Sequence, residues 1–293
     1  MDFKMMRWVP FYGPVKNRYA AYFLRKIIHA TCPEQYFVRF MSQQVNPCAN
    51  ATYALTFDFD FEKDIEAFPY LLDMLKEKNI KAGFAVIGKF VEKYPDIHKR
   101  AVDEGHEIIN HTYTHPDNPH WAPDRYFNKL SYAEQKSEIE KAHEVYQKVL
   151  GIECIGFRTP HYGNLHTESV YSILSELGYK YSSSTAACAY KGFGAPSEHS
   201  HGIMEIPTGC SLHFPLAIFD SWNMLRKKKP FLGDDNLFVE EFDATIKVVK
   251  EHNLFITHYF DPYDIVVNNK LERVLDSINQ HNINTLLYRY LIF

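Results

Sequence analysis

Cysteine is scarce and widely dispersed in this chain. The five cysteines stand at positions 32, 48, 154, 188 and 210, and no Cys-x-x-Cys spacing occurs. An odd number of distant thiols in a chain of 293 residues argues against a disulfide framework and against a zinc-thiolate finger. We therefore expect reduced thiols and a reducing compartment.

Long apolar runs are also lacking. No segment approaches the roughly 20 apolar residues that span a bilayer. The charged N-terminus is not followed by the apolar stretch of a secretory signal. These features predict a cytoplasmic protein.

One amphipathic segment leaves a membrane question open. After Asn17, a suitable helix N-cap, apolar residues repeat at helical spacing with basic residues between them. They are Ala20, Phe23, Leu24, Ile27 and Ile28. Such a helix either docks on its own core or on another subunit, or it lies at a membrane surface. The sequence thus leaves open a membrane-associated location with peripheral membrane contact, and also a homo-oligomer.

There is no excess of positive charge. The chain has 32 Lys+Arg against 36 Asp+Glu, giving a formal charge of −4, so it has no general attraction to nucleic acid. A hydrophobic fraction of 46% is typical of a soluble globular protein. The 22 Phe, 20 Tyr and 15 His are unusually many, and composition alone does not decide whether they pack a core or line a site.

Past residue 50, short apolar runs alternate with helical patterns. The predicted strands cover 52–57, 82–87, 106–109, 153–157, 179–183 and 254–259. The predicted helices cover 64–78, 90–104, 131–150, 167–177, 238–252 and 269–281. This alternation is typical of βα units and a parallel sheet. We predict one barrel-like α/β domain at 51–293, preceded by an N-terminal extension at 1–50 that contains the amphipathic helix.

The carboxyl end of the first strand carries two carboxylates, and ligand sites in parallel sheets lie at such ends. Because side chains alternate along a strand, Asp58 and Asp60 project to the same side. Two neighbouring carboxylates repel each other unless a cation lies beside them. A helix N-cap is the alternative use for one of them.

The third strand is followed by two histidines at positions i and i+4. This spacing brings His111 and His115 to one face of a single helical turn, a common metal-chelating arrangement. With Asp60 they form a set of two histidines and one carboxylate, which suits Zn²⁺, Co²⁺, Ni²⁺ or Fe²⁺ with positions left open. Two polar surface histidines are the alternative interpretation.

Two further strand ends carry polar residues. Arg158 follows an apolar strand and needs an anionic partner, for which Asp58 is the natural candidate. His258 ends the strand from Leu254 and is a candidate general acid. A simple salt bridge or a core histidine would explain either residue alone, but not the whole cluster.

Taken in order, these segments resemble the motifs of the polysaccharide deacetylase family, the NodB-homology hydrolases. The matching segments are TFDFD at 56–60, HTYTH at 111–115, RTPHYG at 158–163 and the strand at 254–258. The resemblance extends over roughly 51–290. It implies a distorted (β/α) barrel and metal-dependent removal of an acyl group from an amide.

The resemblance also implies roles for individual residues. Asp60, His111 and His115 would hold the metal, which we expect to be zinc, with cobalt, nickel and iron as alternatives. Asp58 would be the general base and Arg158 its orienting partner.

The remaining implied roles concern the oxyanion and the leaving group, and we add an expectation for the substrate. The backbone N–H at His161 would contribute to an oxyanion hole, and His258 would be the general acid. Tyr162, in the third motif, and Trp222 are the candidate substrate-binding residues. Trp222 belongs to an aromatic and histidine-rich region at 188–223, near His199, His201 and His213, that we expect to wall a substrate groove.

Three departures from the family pattern concern the same implied site. The two aspartates of the first motif are separated by one residue, and His161 and Ser182 stand where Tyr and Asp are common. Without an aspartate at 182, Asp261 or Asp264 would have to orient His258. Asp261 also competes with His258 for the role of the last motif.

We expect a hydrolase that removes an acyl group, above all N-acetyl, from an amino sugar or a sugar-containing intermediate. Because no secretion signal is found, a soluble, nucleotide-linked or lipid-linked sugar fits better than an extracellular polymer. Hydrolysis of a non-sugar amide such as a ureide or formamide is the alternative within the same fold. A non-haem Fe(II) oxygenase and a catalytically inactive binding barrel are the more distant alternatives.

Overall fold

The computed structural model describes residues 18–226 and 237–292, which form a curved sheet covered by helices. The strands are β1 (Thr52–Phe59), β2 (Gly83–Val86), β3 (Glu107–Asn110), β4 (Gly156–Phe157), β5 (Tyr181–Ser182), β6 (Ser197–Glu198), β7 (Met204–Glu205), β8 (Phe255–Phe260) and β9 (Asn284–Thr285). The helices are α1 (Arg18–Thr31), α2 (Pro33–Met41), α3 (Glu62–Glu77), α4 (Gly88–Lys93), α5 (Pro95–Asp103), α6 (Tyr132–Val145), α7 (Ser169–Glu176), α8 (Leu237–Glu251), α9 (Pro262–Val267) and α10 (Leu271–Gln280).

The sheet order is β6-β7-β5-β4-β3-β2-β1-β8, and β9 also pairs with β1. The described pairs are parallel except for β6 with β7. This is the predicted distorted (β/α) barrel. It is not the all-β jelly roll that usually carries the iron oxygenase chemistry considered above.

Two helices differ from the sequence prediction for local reasons. The predicted helix at 90–104 is two helices, because Pro95 has no N–H to continue a helix and Tyr94 before it is non-helical (φ −131°, ψ 59°). The predicted helix at 131–150 begins at a capping box in which Ser131 and Glu134 bond each other's backbone N–H. It widens into a π-helical turn at 146–150 and ends at Gly151 (φ 69°).

Side chains on β1 alternate between two environments. Phe57 and Phe59 pack into the helix-side core, where Phe59 lies 4.4 Å from Phe68 of α3 (ring centroids). Thr56 and Asp58 face the inner side. Each buried Phe contributes roughly 1.5–3 kcal/mol to stability, so the helix-side packing fixes the register that presents Asp58.

The same alternation holds on β8 and sends His258 into the helix-side core. Leu55 is the register partner of His258, and His258 is surrounded by the rings of Tyr53, Phe219 and Phe242 at 5.3–6.0 Å. Its Nε2 lies 2.9 Å from the carbonyl oxygen of Cys210. Burial lowers the pKa of His258 to about 4.

The predicted N-terminal extension at 1–50 contains two described helices, α1 and α2. α1 is the amphipathic helix predicted from the sequence, and Ile28 anchors it to the core. α2 buries Tyr36, Phe37, Phe40 and Met41. No described helix is both long and apolar enough to cross a membrane. Residues 1–17 lie outside the described part of the chain.

Buried neutral histidines should make this fold sensitive to acid. Burial lowers the pKa of His98 and of His106 to about 4, as it does for His258. Between pH 6.5 and about 4 the unfolded chain therefore binds protons that the folded chain does not, so the free energy of unfolding decreases as the pH falls. A shift of this size corresponds to about 3 kcal/mol per histidine.

We predict that His98→Gln flattens this loss of stability in urea unfolding measured from pH 7.5 down to pH 4.5. His98 is a buried residue of α5. His252→Gln, at an exposed position, is the matched control and should retain the wild-type slope. Equal slopes for His98→Gln and wild type would contradict the assignment.

Candidate active site

A cavity of about 790 Å³ lies at the carboxyl ends of the central strands. Asp58 and Asp60 enter it from the end of β1, His111 from the segment after β3, and Tyr162 from the segment after β4. The sheet therefore gathers residues that are about 100 positions apart, as expected for a parallel α/β sheet.

Asp60, His111 and His115 converge on one point. The Oδ1 atom of Asp60 lies 3.2 Å from His111 Nε2 and 3.3 Å from His115 Nε2. One ligand atom from each residue lies within 4.8 Å of the others. The prediction that these three side chains come together is confirmed.

The predicted helical turn at the two histidines is wrong. The segment 111–115 is irregular, and Thr112 and His115 have left-handed backbone angles (φ 68° and 55°). The His115 N–H donates to the hydroxyl of Thr112, at 3.0 Å. A sharp loop rather than a helix thus turns both rings toward Asp60.

Asp60, His111 and His115 fit a divalent metal ion. His111 Nδ1 lies 2.8 Å from the carbonyl oxygen of Arg158, which directs Nε2 to Asp60. Asp60 Oδ1 and His115 Nε2 are buried without a hydrogen-bond partner in the described structure. Two imidazole nitrogens and one carboxylate oxygen form a donor set suited to zinc and to the related transition metals.

The electrostatics of this set favour a charged carboxylate. Burial by itself raises the pKa of Asp60, but His115 and His111 outweigh burial and hold that pKa well below its usual range. For His115 the effects have the opposite signs. Burial lowers its pKa, but the Asp60 charge outweighs burial, so the pKa of His115 is raised. Asp60 is therefore ready to act as an anionic ligand.

Asp58 is held by a fully buried arginine. Arg158 Nη1 donates to Asp58 Oδ1 at 2.5 Å, which confirms the predicted partnership. The guanidinium also donates to the hydroxyl of Thr56 and, from Nη2, to the hydroxyls of Ser183 and Tyr288, at 3.0–3.2 Å. Burial lowers the pKa of Arg158, but the Asp58 charge outweighs this and raises it.

Sequence reasoning did not identify these three hydroxyl partners of Arg158. Thr56 could have been identified, because it lies two residues before Asp58 and so on the same face of β1. Ser183 follows β5, and Tyr288 lies 130 positions from Arg158, so no local pattern connects them to the site.

The position of His258 does not fit the general-acid role. His258 is not among the residues that line the cavity, because it faces the aromatic core on the other side of β8. Tyr259 and Asp261, on the opposite parity, do line the cavity. Asp261 Oδ2 accepts a hydrogen bond from Ser221 at 2.5 Å. Asp264 lies near Lys63 at 3.7 Å and is not a lining residue.

The other predicted site residues lie at the cavity wall. His161 and Tyr162 both have left-handed backbone angles (φ 59° and 52°) that fold the third motif back beside the metal-ligand set, and His161 lies 5.0 Å from His115 (ring centroids). Tyr162 covers the Arg158 guanidinium at 5.2 Å. Both residues line the cavity, and so does Trp222.

The predicted groove region at 188–223 contributes only in part. His199 lines the cavity and stacks on Tyr171, 3.8 Å away. His201 and His213 are not lining residues. His213 instead binds Glu241 at 2.6 Å and approaches Glu34 at 3.3 Å.

Comparisons with known proteins point to one family. Residues 46–182 match the family model described as polysaccharide deacetylase. A peptidoglycan-N-acetylglucosamine deacetylase of Bacillus cereus is 30% identical over 171 residues, which cover 53% of this chain and 58% of that protein. The chain spans about half the length of the curated relatives it matches.

Solved structures share the fold at low sequence identity. The chitin deacetylase of the fungal pathogen Colletotrichum lindemuthianum superposes with a TM-score of 0.56 at 20% identity, covering 86% of this chain and 92% of that one. A CE4-family pseudoenzyme of Bacillus anthracis superposes with a TM-score of 0.52 at 14% identity, covering 82% and 67%. At such identities the likeness shows the fold alone.

The matched segment contains Asp58, Asp60, His111, His115 and Arg158, whereas His258 and Asp261 lie beyond it. Residues 46–182 of this chain match the model of the polysaccharide deacetylase family, and the resemblance drawn from the motifs is confirmed.

Proposed function

We propose that this protein is a metal-dependent deacetylase that hydrolyses the N-acetyl group of an amino sugar within a larger saccharide or sugar conjugate. One observation carries the proposal. The Asp58–Arg158 pair and the Asp60, His111 and His115 set lie side by side at one cavity, which Asp58, Asp60 and His111 line, and all five residues fall within the segment that matches the family. An inactive barrel would not need both.

The metal set has a defined part in this reaction. Asp60, His111 and His115 would hold a divalent ion, with zinc the best match to the donors. When bound, the ion supplies Lewis-acid activation of a water molecule and of the amide carbonyl.

Asp58 is assigned as the general base. Arg158 engages its Oδ1 atom, so the proton of the attacking water is accepted at Oδ2. Arg158 acts as a positioning residue, because its donors fix the carboxylate in a buried site. The left-handed turn at His161 brings a backbone N–H to the cavity wall, where it would stabilise the oxyanion.

The amine leaves with a proton from an acid, and we assign this role to Asp261 rather than to His258. Asp261 lines the cavity and His258 does not. Water and the amide thus become acetate and a free amine.

The substrate class rests on the cavity and on the relatives. A volume of about 790 Å³ is within the range of small-molecule sites. Trp222, Tyr190 and Tyr171 give the cavity flat aromatic walls suited to the apolar face of a sugar ring. Free, nucleotide-linked and lipid-linked N-acetylhexosamines are the substrates to compare, with ureides and formamides as the alternative class.

The proposal predicts acetate release from at least one N-acetylated saccharide in a screen of these compounds. The readout is enzymatic acetate detection together with mass loss of one acetyl group from the product. Release of ammonia or formate from a non-sugar amide, together with no acetate release from any saccharide, would contradict the substrate assignment.

The separate roles of base and ligand predict different behaviour of two variants. Asp58→Asn should lower kcat by about 10²–10⁴-fold while still binding zinc, because it is outside the ligand set. His111→Ala should lose both zinc binding, measured by calorimetry, and activity. Chelation should abolish wild-type activity, and zinc should restore it. Equal loss of zinc in both variants would contradict the division of roles.

The acid assignment predicts a contrast between two neighbouring positions. His258→Gln should keep the wild-type pH–rate profile across the neutral range, because His258 is neutral there and faces the core. Asp261→Asn should lower kcat by about 10²–10⁴-fold, because the amide has no acid proton to transfer to the leaving amine. A comparable loss of kcat in His258→Gln, with a folded protein by circular dichroism, would return the acid role to His258.

A further inference from the structure

Helix α1 has two apolar faces, and within residues 18–226 and 237–292 only one of them packs against the core. Ile28 is buried and Leu24 packs against the core. Phe23 and Ile27, one turn apart, are 65% and 43% exposed. Large apolar side chains that are exposed as neighbours on one helix face indicate a contact outside the described structure.

The charge of the chain segment that contains α1 is strongly one-signed. α1 contains Arg18, Arg25 and Lys26 and no acidic residue. Over residues 1–31, six basic residues stand against Asp2 alone, so this segment has a formal charge of +5 and the rest of the chain −9. Apolar residues flanked by basic ones, on a helix too short to span a bilayer, are typical of a helix that lies at an anionic membrane surface.

The helix pair also adjoins the cavity. Phe40 of α2 packs edge-on against Phe193 at 5.2 Å, and Gln44 donates to the Phe193 carbonyl at 3.2 Å. Phe193 belongs to the loop whose residues 188–191 line the cavity. A surface bound by α1 would therefore lie near one wall of the candidate active site.

We propose that α1 docks this protein on the surface of an anionic phospholipid bilayer, with Phe23 and Ile27 inserted among the headgroups and Lys26 against lipid phosphates. A second copy of the chain fits less well. Two α1 helices apposed face to face would bring only positive charges together, which costs energy rather than stabilising the contact.

Vesicle co-sedimentation of the full chain tests this proposal without using activity, so it is independent of the proposed function. We expect binding to phosphatidylcholine vesicles that contain about 30% phosphatidylglycerol, weakened by salt, and little binding to phosphatidylcholine alone. Phe23→Ser/Ile27→Ser should weaken binding at least tenfold. Tyr70→Ser, at a position that is 49% exposed on α3, is the matched control and should bind normally.

A charge variant gives a second measurement. Lys26→Glu should lower the affinity for the anionic vesicles, whereas Lys180→Glu, at an exposed position outside α1, should not. Absence of vesicle binding by the wild-type chain would overturn the proposal. So would a dimer in sedimentation equilibrium that Phe23→Ser/Ile27→Ser dissociates, because the apolar face would then be a subunit interface.

Discussion

The buried Arg158–Asp58 pair is the interaction on which the rest of the site depends. A guanidinium with no exposed surface is tolerated only when its donors are satisfied. Arg158 achieves this with partners from β1, from the segment after β5 and from the segment after β9. Removing one partner of a buried pair typically costs about 3–5 kcal/mol, so the pair restrains the relative positions of these elements.

The same residue connects the base to the metal-ligand set. The Arg158 side chain fixes Asp58, and its carbonyl oxygen lies 2.8 Å from His111 Nδ1. A displacement of the strand end at Arg158 would therefore move the base and one metal ligand together. This coupling explains why the third motif belongs to the site even though Arg158 itself does not line the cavity.

The sequence allowed prediction of the barrel, the three candidate metal ligands and the Asp58–Arg158 pair, because these depend on strand ends and on charges that need partners. It did not allow prediction of how the histidines reach Asp60, since the left-handed angles at Thr112 and His115 have no glycine to mark them. Tyr288 reaches Arg158 from the segment after β9, which pairs with β1. Alternation along β8 separates His258 from Tyr259 and Asp261, which is why only the latter two line the cavity.

Two buried histidines show how strongly the surroundings of an imidazole determine its pKa. His258 faces aromatic rings, and burial lowers its pKa to about 4. His115 is equally buried on the cavity side, yet the charge of Asp60 raises its pKa. Residue type and burial are the same, and the difference comes from the neighbours of each ring, which are aromatic side chains at His258 on β8 and the Asp60 carboxylate at His115 in the loop after β3. The chemistry of a histidine in this barrel therefore follows from the groups that surround it, more than from its position near a strand end.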